Sequence, residues 1–174
     1  HTPEEWRKIW LQCLKSDKIV GFVPTMGALH EGHMDLVKAS KRQCDITVVS
    51  IFVNPTQFNN IEDFDTYPNT LSADLDKLLD NKVDYVFVPT KKTIYPDSTK
   101  SNLDFGELEQ ILEGEFRPGH FKGVGIVVSK LFNIIKPHIA FFGQKDLQQV
   151  AVIRRLVADF SFDVSLENVP TKRE

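Results

Sequence analysis

The stretch Ile19-Val20-Gly21-Phe22-Val23-Pro24-Thr25-Met26-Gly27-Ala28-Leu29-His30-Glu31-Gly32-His33 decides the fold. Its first five residues are an apolar run too short for a helix. Ended by Pro24, they read as a buried parallel strand. A helix is expected from Gly32 to Gln43, with Leu36, Val37 and Cys44 on the face that His33 begins. Two histidines, His30 and His33, stand three residues apart where that helix starts, a spacing that sets both imidazoles on one side of the first turn. A helix N-terminus carries unpaired N–H groups and about half a positive charge, so phosphate binds there readily. Gly27 and Gly32 allow a nucleotide to approach the backbone closely. The stretch holds neither GxGxxG nor GxxxxGK[ST], which sets aside a dinucleotide fingerprint and a P-loop. It reads HExH where a zincin needs HExxH, and neither His120 nor His138 supplies a third ligand at a diagnostic spacing, so no metal site is expected.

Working outward, the same alternation repeats. Thr2 to Leu14 reads as an amphipathic helix, with Thr2 and Glu5 at capping-box spacing, Pro3 at the first position, and Trp6, Ile9, Trp10, Cys13 and Leu14 on one face. Ile46 to Val53 is a second strand, followed by a polar loop from Asn54 to Asn69. Leu71, Leu75, Leu78 and Leu79 mark a helix, and Tyr85 to Val88 a third strand. Pro89 to Asn102 reads as irregular and exposed, with Lys91-Lys92 as solvated surface, and Glu107 to Glu113 as a short helix. Val124, Val127, Val128, Leu131, Phe132 and Ile135 give the strongest helical stripe, stopped by Pro137. Ile139 to Phe142, Asp146 to Asp159 and Val164 to Val169 complete the series as strand, helix and strand. Right-handed crossovers make this a doubly wound, Rossmann-like parallel sheet of about five strands, one domain over residues 1–174, with helices on both faces.

Ligands of such sheets bind outside the carboxyl ends of the strands. After the second strand come Asn54 and Gln57, neutral amides that orient a hydroxyl or carboxylate; by itself Asn54-Pro55 also reads as a turn. After the fourth strand comes Gly143-Gln144-Lys145-Asp146-Leu147-Gln148-Gln149. Asp146 reads as a helix cap or as an acceptor for a ribose hydroxyl, Lys145 as a point charge on phosphate, and Gln149 lies one turn in, facing the same cleft. Arg117 and His120 flank a Pro-Gly turn and are candidates to close over an anionic substrate.

The chain has 174 residues, with 21 Lys+Arg against 24 Asp+Glu, a net of -3. That lacks the basic excess of a general nucleic-acid binder. No apolar run approaches the ~20 residues of a bilayer span, and no signal-peptide pattern is visible in His1 to Lys8. Two cysteines, Cys13 and Cys44, make no disulfide framework, and a reduced, cytoplasmic setting is expected.

Six segments together resemble the pantoate–β-alanine ligase family of the HxGH nucleotidyltransferases: Pro24–His33, Phe52–Phe58, Glu62–Pro68, Arg117–Val124, Lys130–Pro137 and Phe141–Gln149. The resemblance implies that pantoate and ATP, accompanied by Mg2+, form pantoyl adenylate and pyrophosphate, and that β-alanine then gives pantothenate and AMP. It implies ATP contacts at Met26, Gly27, Ala28, Leu29, His30, Glu31, Gly32, His33, Gly143, Gln144, Lys145, Asp146 and Lys172. His33, His30 and Lys145 are the implied catalytic groups, His33 as proton donor or phosphate stabiliser. Substrate contacts are expected at Gln57, Gln149, Asn54 and Thr25, and a homodimer is expected. Gln144 stands where many relatives have an acidic residue. The family continues beyond Arg173-Glu174 into a Ser-Ser-Arg loop and a lid domain, so this sequence corresponds to the N-terminal domain, with weak activity expected of it alone. Two alternatives remain: another HxGH nucleotidyltransferase, or a nucleotide-binding domain without turnover.

Overall fold

The structure is a computed structural model and describes residues 1–111 and 113–170. Five strands, β1 (Val20–Thr25), β2 (Ile46–Ile51), β3 (Tyr85–Phe87), β4 (Ile139–Gly143) and β5 (Ser165–Val169), pair in parallel in the order β3-β2-β1-β4-β5. The chain winds outward from β1 to β3, then returns to the other side of β1 as β4, and the point of return is where ligands bind in doubly wound sheets.

Period-2 alternation divides the strands between two cores. Val20 and Phe22, Ile46 and Val48, and Ala140 and Phe142 face one side. Val23, Val49, Ile51 and Phe141 face the other. The first core is covered by α1 (Pro3–Lys15), α7 (His120–Ile135) and α8 (Leu147–Phe160), the second by α2 (Glu31–Gln43) and α4 (Leu71–Asp80). Three single-turn helices, α3 (Ile61–Asp65), α5 (Lys91–Ile94) and α6 (Glu113–Phe116), complete the series.

The capping box of α1 is present: Glu5 N–H donates to Thr2 Oγ1 at 3.2 Å and Thr2 N–H to Glu5 Oε2 at 2.8 Å. Trp6 is buried and donates its indole N–H to the Ile135 carbonyl at 2.9 Å, while Trp10 donates to the Lys136 carbonyl at 3.0 Å. These indoles satisfy carbonyls that the end of α7 leaves without intrahelical partners.

Several local expectations are corrected. Pro24 does not end β1, which runs to Thr25 against β2. Pairing with β4 has already stopped at Phe22–Ala140, so the residue without an N–H falls where that ladder is over. The polar loop after β2 contains a 3-10 turn, Pro55–Gln57, and α3. The segment read as irregular holds α5, whose Ile94 is buried in the first core. In place of a helix over 107–113 stand a 3-10 turn, Gly106–Glu109, and α6. Leu14 on α1, and Leu71, Leu75 and Leu79 on α4, face outward; α4 buries Asp74 and Leu78 instead. A 3.6-residue period marks an apolar stripe but cannot say how far round the helix the core reaches.

Candidate active site

Beyond Phe22 and Ala140, β1 and β4 part, and a cavity of about 190 Å³ opens between their carboxyl ends. Thr25, Met26, His33, Asn54, Gln57, Gly143, Asp146 and Gln149 all line it, so three separate strand-end segments meet as the sequence predicts. Its other wall is apolar and comes largely from α7: Val124, Val127, Val128 and Leu131, with Leu36, Phe141 and Phe142.

His30 is the N-cap of α2 and His33 lies in its first turn. Gly32 N–H donates to His30 Nδ1 at 3.0 Å, and His30 N–H donates to His33 Nδ1 at 3.3 Å. The imidazoles thus act as a capping box in place of the usual hydroxyl and carboxylate. An Nδ1 that accepts a hydrogen bond carries no proton, so each ring bears its proton on Nε2 and can donate from there. The ring centroids are 4.2 Å apart. Burial, assisted by the neighbouring His30, lowers the His33 pKa to about 4 against the opposing pull of Asp74. Near neutrality His33 is an uncharged hydrogen-bond donor, which suits a phosphate stabiliser better than a proton donor.

Gln57 and Asn54 form a second unit. Asn54 Nδ2 donates to Gln57 Oε1 at 3.1 Å and to the Gly123 carbonyl at 3.1 Å, while Tyr95 O–H donates to Asn54 Oδ1 at 2.8 Å. With its oxygen held this way, Gln57 turns its NH2 to the cavity side, 3.0 Å from Met26 Sδ. Asn54 lines the cavity, yet both its amide atoms are already engaged by the protein. His120 does not close over the cavity. It is buried, and its Nδ1 stands 2.9 Å from the Gln57 carbonyl, so it fastens the Pro55–Gln57 turn. Burial lowers its pKa, against the opposing effect of that carbonyl. Arg117 is exposed.

On the β4 side, Asp146 is the N-cap residue of α8 but makes no side-chain cap bond. Partial burial raises its pKa, with Lys145 opposing and Glu113 adding to the rise; His120 and His30 also lower it. Lys145 and Gln144 lie exposed on a 3-10 turn outside the cavity lining. Glu31 is exposed, with Lys38 3.9 Å away. Thr25 Oγ1 donates to the Ser50 carbonyl at 2.7 Å and accepts Gly27 N–H at 3.2 Å. Ala28 and Leu29 give their N–H groups to Asp74, which leaves neither amide free for a ligand. Lys172 lies outside the described residues.

Sequence reading did not single out Asp74, Tyr67 or Tyr95. Asp74 carried a signal, an acid one helical turn before the buried Leu78. Tyr67 lines the cavity from the segment read as loop, packed edge-on against Phe58 at 5.8 Å. Tyr95 reaches Asn54 from α5, a helix the sequence does not announce.

Among the described residues, no helix is long and apolar enough to cross a membrane. The family model for pantoate-beta-alanine ligase matches residues 1–174. A pantothenate synthetase of Thermosipho africanus is 56% identical over 98% of this chain, and one of Pseudothermotoga lettingae 52% identical over 98%. The chain spans 62% and 60% of the lengths of these relatives. A crystal structure of pantoate-beta-alanine ligase from Francisella tularensis, complexed with Beta-gamma ATP and Beta-alanine, superposes with a TM-score of 0.95 at 45% identity. It covers 99% of this chain and 66% of that one. Pantothenate synthetase from Thermus thermophilus gives 0.89 at 42% identity, over 99% of this chain and 61% of that one. With the family model matching the whole length, relatives more than half identical and a superposition at a TM-score of 0.95, the chain belongs to the pantoate-beta-alanine ligase family.

Proposed function

We propose that this chain binds ATP and pantoate in the cavity between β1 and β4 and carries pantothenate synthesis there through a pantoyl adenylate, weakly when it is alone. A carboxylate oxygen of pantoate attacks the α-phosphorus of ATP, the bond to pyrophosphate breaks, and pantoyl adenylate forms. The amine of β-alanine, having lost a proton, then attacks the acyl carbon, and AMP leaves with the carbon–oxygen bonding pair. One observation carries this reading. A single cavity has polar donors on one side (Gln57 and Gln149 amides, His33 at a helix N-terminus) and branched apolar side chains on the other. Pantoate has that division, two hydroxyls and a carboxylate around a dimethyl-substituted carbon. The ligands in the Francisella relative support ATP and β-alanine as partners.

Nucleotidyl transfer depends mostly on positioning and on stabilising developing charge. His33 and His30 would donate from Nε2 to phosphoryl oxygens, with the dipole of α2 aligned behind them. Lys145 would neutralise the triphosphate from the rim, and Asp146 would accept a ribose hydroxyl. Mg2+ would offset triphosphate charge. Among the described residues no three His, Cys, Asp or Glu stand together as ligands, so it fits as an ion held by phosphate oxygens and water. A homodimer and a cytoplasmic location, both implied by the family resemblance, are tested by sedimentation and by cell fractionation respectively.

The functional test incubates the chain with ATP, Mg2+, pantoate and β-alanine and follows AMP and pantothenate. Pantoate-dependent AMP release supports the reading. AMP formation with phosphocholine or a mononucleotide in place of pantoate would point to another HxGH nucleotidyltransferase. Binding of ATP and pantoate without AMP release would reduce the chain to a nucleotide-binding domain.

A further inference from the structure

The Asp74 side chain is 1% exposed, and no Lys, Arg or His stands within ion-pair distance of it among the described residues. Its charge is met by hydrogen-bond donors. Oδ1 accepts Leu29 N–H at 2.8 Å; Oδ2 accepts Ala28 N–H at 2.9 Å and the Thr70 hydroxyl at 3.0 Å. The two amides converge because Gly27 (φ 85°) and Ala28 (φ 50°) are both left-handed. Successive N–H groups in such a turn form an anion-binding concavity, here filled by the protein's own carboxylate. Left-handed geometry strains a non-glycine residue such as Ala28. Hydrogen bonds to a carboxylate, about twice as strong as neutral ones, hold it in place. One turn further along α4, Lys77 donates to the Leu29 carbonyl. The helix therefore grips both the donors and an acceptor of the segment that runs directly into His30 and His33.

We infer that Asp74 is a positioning residue for the nucleotide, fixing the Gly27–Leu29 turn so that His30 and His33 meet the phosphates at the N-terminus of α2. This rests on the proposed function, in which that segment receives ATP. Asp74 touches no substrate; it acts through the turn and through its charge, which opposes the burial that keeps His33 neutral. Asparagine is nearly isosteric, but it sets an NH2 against one of the two backbone N–H groups and removes the charge.

The test compares wild type with Asp74→Asn and Thr70→Val, titrating each with Mg-ATP and separately with pantoate by calorimetry. His33 is followed by NMR titration, and exchange of the Ala28 and Leu29 amides is measured. Asp74→Asn should raise the Kd for ATP at least tenfold and that for pantoate less than twofold. It should also move the His33 titration downward and speed exchange of both amides. Thr70→Val, which keeps both backbone bonds, should raise the ATP Kd two- to threefold and serves alone if Asp74→Asn does not fold. An ATP Kd within experimental error of wild type in a folded variant overturns the inference. Failure of the wild-type chain to bind ATP overturns the functional proposal instead. Unchanged amide exchange and an unchanged His33 titration would then overturn the role of Asp74 independently.

Discussion

Adding one methyl group at Gly123 tests whether the packing of α7 sets the substrate site. A Cβ built there falls 2.6 Å from the Thr56 carbonyl carbon and 2.8 Å from Gln57 Cα, and it also meets the Thr56 oxygen. Ordinary contact begins at 3.4 Å, so the Pro55–Gln57 turn must retreat by up to about 1 Å, the Thr56 oxygen setting the limit. The turn cannot retreat freely, because Asn54 Nδ2 holds the Gly123 carbonyl and His120 holds the Gln57 carbonyl. For Gly123→Ala two stability terms oppose each other: about 1 kcal/mol of helix propensity gained, and about 1–3 kcal/mol of overpacking cost. Because the atoms met are backbone, the overpacking cost lies at the upper end of that range, and net destabilisation should come to about 2 kcal/mol in a variant that still folds. Displacing the Gln57 amide is the larger consequence, because misplacement of a positioning group by about 1 Å can cost as much as 10²-fold in rate. We predict at least a tenfold weaker pantoate Kd, a near-normal ATP Kd, and a urea midpoint only modestly lowered. Calorimetry with each ligand and urea unfolding followed by Trp fluorescence make the measurement. Unchanged pantoate affinity in a folded Gly123→Ala protein would refute the claim that the α7 contact places Gln57.

His33→Ala should slow pantoyl adenylate formation ~10²–10³-fold in a single-turnover assay, the cost of one donor aimed at developing charge; a near-normal rate would exclude that role. Gln57→Ala and Gln149→Ala should each weaken pantoate binding more than ATP binding, and collapse of ATP binding with pantoate unaffected would contradict the arrangement. The pH dependence of stability follows from two histidines, the half-buried His33 and the buried His120. The folded His33 pKa is about 4 against 6.5 unfolded, and that of His120 is also lowered, so between those values the unfolded chain binds more protons. Their contribution is present above pH 6.5 and is lost as pH falls toward 4, so Tm should fall across that window; a Tm contribution from His33→Gln that is identical at pH 7 and pH 5 would speak against it.

The strand–helix alternation, the doubly wound sheet and the three strand-end segments that meet in the cavity are legible in the order of the residues. Those features rest on local composition: short β-branched runs, helical stripes, and polar residues just past each run. That order also locates the histidine pair at a helix start, because three-residue spacing beside Gly32 is a local property. Which of the polar residues remain available to a ligand is settled by packing alone. Asn54 and His120 look equivalent to Gln57 along the chain, but the seating of α7 on the Pro55–Gln57 turn commits Asn54 to the Gly123 carbonyl and His120 to the Gln57 carbonyl, and leaves the Gln57 NH2 on the cavity side. Ala28 and Leu29 read as ligand-binding backbone until α4 brings Asp74 to their amides from 46 and 45 residues away. The neutral state of His33 likewise comes from burial, which no spacing reports. Hydrogen-bond partners at long sequence separation and desolvation exist only once the helices have packed, so they lie beyond any pattern confined to neighbouring residues.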